Sequence, residues 1–221
     1  TDRYINAKGL EYDQAITKSL IGGLMLDQIL NNYLSPAKLE SGTNLADNTN
    51  DVLAEGKNYT TMEHNWDEAY GYFTSEFDYP TNGTNRFWGK YANGRETVLG
   101  SATKIAEAFR KGRAAIDNKD YTTRDAQITI IVTEMEKVCA GTAIHYLNDA
   151  KANITEGTLK NHQLSEARAF LNGLRYGQKA IDGTGMLTAE INTALAYFED
   201  FENVSIANLN NAIDLIASKT G

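Results

Sequence analysis

A single cysteine and two prolines in 221 residues are the first scarcities of this chain. With Cys139 alone, no intramolecular disulfide can form, and its apolar setting "KVCAGTAI" reads as a small buried hydrophobe. With only Pro36 and Pro80, long stretches run free of helix breakers. Long apolar runs are missing as well. The nearest, "SLIGGLMLDQIL" at 19–30, is interrupted by Asp27 and falls short of the roughly 18 apolar residues of a membrane span. Basic charge is in deficit: 29 acidic against 21 basic side chains give −8, the opposite sign to that expected of a phosphate-neutralising protein, so no nucleic-acid partner is expected. The run "RKGR" (Arg110, Lys111, Arg113) is the local exception and reads as a solvated helix end. The zinc-protease pattern H-E-x-x-H and the nucleophile elbow G-x-S-x-G do not occur.

What is present is helical periodicity, almost throughout, without strand alternation. The spacing predicts helices over about 11–34, 60–77, 95–117, 123–150 and 156–181, followed by "TAEINTALAYFED" and "SIANLNNAIDLIAS", the last capped by Ser205. Residues 35–58, rich in Asn, Asp, Gly and Thr, read as a long loop. The 123–150 helix carries a stripe of Ile128, Ile131, Met135, Val138, Thr142 and His145 at three-four spacing, which points His145 inward.

"HNWDEAYGYF" at 64–73 aligns with "HQLSEARAFL" at 162–171, and each follows a helix ending in Tyr-Leu. We read the chain as all-α, one domain of two pseudo-repeated antiparallel bundle halves, 1–118 and 119–221. In both copies a histidine precedes a glutamate by four, His64 with Glu68 and His162 with Glu166, which places each pair on one helix face. An imidazole and a carboxylate so placed can share a cation, or simply hydrogen-bond and support the helix. Asp67 adds a second carboxylate to the first pair, whereas the second copy has Ser165 there. His145 is an outside candidate for a third ligand.

Trp66, Tyr70, Phe73 and Phe77 share the opposite side of the first motif and are expected in the core. The aromatic crowding between Tyr59 and Tyr91, with Trp66 and Trp88, also allows a stacking platform for a sugar or other flat ligand. Arg113 joins Trp66, Trp88 and His145 as a ligand-binding candidate.

Together "MEHNWDEAYGYF", "FWGKYAN", "FRKGRAAIDNKD", "IHYLNDA" and "HQLSEARAFLNGLRY" resemble an uncharacterised family of bacterial cell-surface lipoproteins grouped with the imelysin-like proteins. The likeness spans about residues 11–181. Imelysins have two helical-bundle halves, a G-x-H-x-x-E motif and an association with iron-regulated uptake. That motif carries over only in part: Met62 stands where its glycine would be, and the acidic partner of His64 is Asp67 or Glu68. The resemblance implies an exported periplasmic or cell-surface protein. It implies also that contact with the membrane is expected only through a lipid-bearing N-terminus preceding Thr1. The function expected is binding of a metal ion, iron or zinc, or of a metal-bearing small ligand, through His64, Glu68, Asp67, His162 and Glu166. A glycan- or nutrient-binding lipoprotein using residues 66–91 is the first alternative, and a metallopeptidase the second.

Overall fold

The computed structural model describes residues 3–81, 86–177 and 183–221. Among them are ten α-helices and no sheet, as the sequence predicts; one isolated antiparallel bridge joins Ile5 to Glu11. The helices are α1 (Tyr12–Ser19), α2 (Pro36–Leu39), α3 (Asn44–Thr49), α4 (Thr61–Phe73), α5 (Phe87–Leu99), α6 (Ser101–Asp117), α7 (Tyr121–Ala152), α8 (Gly157–Gly173), α9 (Thr188–Ala196) and α10 (Ile206–Thr220).

Three departures from the sequence expectations have local causes. The first helix continues beyond α1 in π geometry, over Leu20–Leu26 and Gln28–Tyr33. The π form is rare and usually confined to single turns. Here it includes Gly22, whose backbone lies so close to Gly173 that an added Cβ would come 2.9 Å from the Gly173 Cα. The helix expected over 95–117 is two helices, because Gly100 adopts the left-handed conformation (φ 64°) that terminates α5 and lets Ser101 start α6. The loop 35–58 contains α2, started by Ser35 and Pro36, and α3. The Ser205 cap is present, its hydroxyl accepting from the Asn208 amide at 3.1 Å.

The chain folds as two compact units, one formed by residues 1–24 and 136–221, the other by 25–135. Residue 118, at the junction read from the sequence, lies inside the second unit. The boundaries fall instead within continuous helical stretches, because α1 packs on α8, far along the chain. The core of the 25–135 unit centres on Trp66, Phe73, Tyr79, Trp88 and Phe109. Phe73 stacks on Phe109 at 5.7 Å, and Trp66 and Tyr79 meet these rings edge-on. The Trp66 indole N–H donates to the Phe109 carbonyl (3.0 Å), so its polar atom is satisfied inside the core. The other unit buries Cys139, Leu147, Leu164, Phe170, Phe198, Phe201 and Leu209.

Candidate functional site

The two His–Glu pairs occupy different environments. In α4, Thr60 and Glu63 form a reciprocal capping box that sets the helix start. His64 and Glu68 then sit one turn apart at 3.6 Å, with side chains 44% and 41% exposed, and the His64 ring stacks on Tyr59. Such an exposed pair contributes only about 0.3–0.5 kcal/mol to its helix. Asp67 does not join it. Arg113 of α6 engages Asp67 (3.1 Å), Glu63 (3.2 Å) and Asp117, so both Asp67 and Arg113 are committed to a surface ion network. Burial nonetheless raises the Asp67 carboxyl above its usual range, outweighing the lowering effect of Arg113.

Trp66 and Trp88 are both core residues, 1% and 0% exposed, so neither indole face is open for stacking on a ligand. Phe77, expected in the core with them, lies past the end of α4 and is 99% exposed. His145 is likewise not enclosed: its side chain is 38% exposed and meets Asp149 at 3.2 Å. The remainder of its stripe, from Ile128 to Thr142, is buried.

The second motif is the enclosed one. His162, on α8, has both ring nitrogens facing carboxylates: Nδ1 lies 2.9 Å from Glu11 and Nε2 lies 3.3 Å from Glu166. The two glutamate side chains are each only 6% exposed, and the imidazole 25%. Glu11 enters from the residue before α1, where its amide donates to the buried Ser165 hydroxyl (2.8 Å). Arg3 closes the cluster, donating to Glu11 at 2.7 Å and contacting His162 Nδ1; Lys18 lies 3.8 Å from Glu166. Burial pushes the Glu11 carboxyl up, but hydrogen bonds and charge from His162 and Arg3 outweigh it and hold the group below the usual glutamate range. One nitrogen cannot serve both neighbours at once. A protonated Nδ1 donates to Glu11, whereas a bare one accepts from Arg3.

This cluster forms a wall of a cavity of about 470 Å³ lined by Arg3, Tyr4, Glu11, Tyr12, Asp13, Gln14 and His162. A neighbouring cavity of about 450 Å³ shares Arg3 and Glu11 and adds Asn161 and Glu202. Three buried side-chain oxygens among the described residues have no hydrogen-bond partner: Gln14 Oε1, Asn161 Oδ1 and Glu166 Oε2. Gln14 and Asn161 line these cavities, and Glu166 is the partner of His162.

As a metal seat the cluster is incomplete. Ligand atoms about 2.0–2.2 Å from one ion stand roughly 3 Å apart, so His162 Nδ1 and Glu11 have the spacing of two ligands, but the Arg3 guanidinium sits against both and an ion there would have to displace it. Glu166 faces the opposite ring nitrogen and cannot reach the same ion. Among the described residues no group of three or more His, Cys, Asp or Glu is arranged to hold a metal.

Sequence spacing identified His162 and Glu166 but not Glu11 or Arg3, which lie 151 and 159 residues away along the chain. Only the packing of α1 on α8 brings them there.

The chain belongs to the family described as Domain of unknown function (DUF4856), matched over residues 1–219. No curated protein and no solved structure matches it.

Proposed function

We propose that this chain is a binding protein that takes a metal-bearing ligand, a cation carried by its own anionic chelator, in the cavity at His162. The observation that carries this reading is the Glu11–His162 pair on the wall of a cavity that also holds a buried oxygen without a donor. His162 Nδ1 and Glu11 stand 2.9 Å apart, an ion-compatible spacing once Arg3 moves to the chelator, and Gln14 Oε1 on the same wall has no hydrogen-bond partner. A bare ion would lack further protein ligands, whereas a chelated ion brings them. The chelator's negative charge would meet the Arg3 guanidinium, which suits planar carboxylates, and the Tyr4 and Tyr12 rings on the same wall. The cavity is within the range that accepts a small molecule, about 300–1,000 Å³. Export and a role in nutrient or iron acquisition belong to this reading through the sequence resemblance.

The test is calorimetric titration and elemental analysis of the purified protein with ferric citrate, and separately with zinc chloride. Ferric citrate is expected to bind the wild type and His64→Ala, and to lose at least about tenfold in affinity in His162→Ala and Glu11→Gln. Absence of uptake by the wild type, or equal binding by His162→Ala, overturns the proposal.

A further inference from the structure

A separate cavity of about 320 Å³ opens on the same unit, lined by Ser19, Gly23, Ala169, Asn172, Gly173, Arg175 and Tyr176. Among the described residues that line it, the one formal charge is Arg175. In a chain with 29 acidic side chains for 21 basic ones, a half-buried arginine is expected to find a carboxylate. Arg175 has none. Its Nε donates to the Asn172 side-chain carbonyl (3.0 Å) and one terminal nitrogen donates to that of Asn192 (2.5 Å). These two neutral acceptors fix the plane of the guanidinium without neutralising it. Of its five N–H donors, the three not used in these bonds have no partner among the described residues.

The remaining walls are small and neutral. Gly23, Ala169 and Gly173 keep the floor low, the Tyr176 ring borders Gly23, and the Ser19 hydroxyl makes no hydrogen bond within the described residues. A pre-oriented, unneutralised guanidinium beside an aromatic ring is matched by a planar monoanion. A phosphate dianion is matched less well, since no second cation among the described residues lines the cavity and the chain's net charge of −8 opposes multiply charged anions.

We infer that this cavity is a binding site for a small monocarboxylate, held end-on by Arg175 with its apolar body against Tyr176. The site is independent of the His162 cavity and shares no lining residue with it.

The test is an NMR titration of the full chain with benzoate, benzamide and inorganic phosphate, following the Arg175 Nε–H and the amides of residues 169–176. Benzoate is expected to give saturable shifts there, and benzamide none. Arg175→Gln should weaken benzoate binding by at least about tenfold, and Arg175→Lys should also weaken it, because the charge remains but the fork is lost. Ser19→Tyr crowds the cavity while leaving Arg175 and its two asparagine partners unmutated, and should abolish the shifts while leaving the circular dichroism and melting curve unchanged. The inference is overturned if wild type shows no saturable benzoate shift, or if benzamide or phosphate binds as tightly as benzoate. Full benzoate affinity in Arg175→Gln or in folded Ser19→Tyr also overturns it.

Discussion

Gly112 shows how closely single residues are fitted in the aromatic core. A Cβ added there would lie 2.1 Å from the Trp66 ring, so α6 can pass the indole only with no side chain at this position. Gly112→Ala is expected to lower stability by about 1–3 kcal/mol, read as a shifted urea midpoint with unchanged slope. Glu11 allows a pH prediction. Its pKa is depressed in the folded state, so its stabilisation is present above the unfolded value and is lost as pH falls through the folded one. Melting temperatures of wild type and Glu11→Gln should therefore differ most near neutrality and converge on acidification below the ordinary glutamate range. Convergence at alkaline pH instead would contradict the assignment. At this scale the sequence was readable where partners are local, as in the His–Glu spacings. It was unreadable where they are remote: three-residue spacing grouped Asp67 with His64, but the partner of Asp67 is Arg113, 46 residues on.

Helices were legible in type and poorly legible in continuity. Apolar periodicity reports which face of a segment is buried, and it found α7 and α10 to within a few residues, while α4 and α8 end earlier than expected, α8 at Gly173 before a 3-10 turn over Leu174–Tyr176; residues 178–181 of that expectation lie outside the described residues. It does not report a change of neighbours along one helix. The first half of α7 belongs to one unit and the second half to the other, yet the stripe stays buried across that boundary from Ile131 to Thr142 and opens only at His145. The "LGSA" stop at Gly100 was a legible signal, since a glycine followed by a serine suits a helix end and a new start. The π geometry after Ser19 had no such signal. Along that first helix Tyr12, Ile16, Leu20 and Leu24 recur every four residues and are all about half exposed or more. Ile16→Gln removes no core contact and is expected to change stability by less than about 0.5 kcal/mol, measured by urea unfolding.

For the whole molecule, an all-α fold followed from composition and period, whereas the interleaving of the chain did not. Interleaving depends on the contacts of α1 with α8, which no local pattern encodes. The buried Cys139 gives a direct reporter on one unit. Its thiol donates to the Phe170 carbonyl at 3.1 Å, and burial pushes its pKa up. Labelling by a thiol-reactive disulfide should be negligible in native buffer and should track unfolding of the 1–24/136–221 unit in denaturant. Rapid native-state labelling would contradict this packing.

One unit is made from the two ends of the chain and the other from its middle, and this sets an order of events under load and during synthesis. Tension applied at the termini is borne first by the end-built unit. In an optical trap the chain should therefore yield in two steps, with residues 25–135 contributing the second extension. On the ribosome the order reverses. Residues 25–135 can close while α1, made before them, waits for α8 to emerge, so α1 is packed after the unit that follows it in sequence.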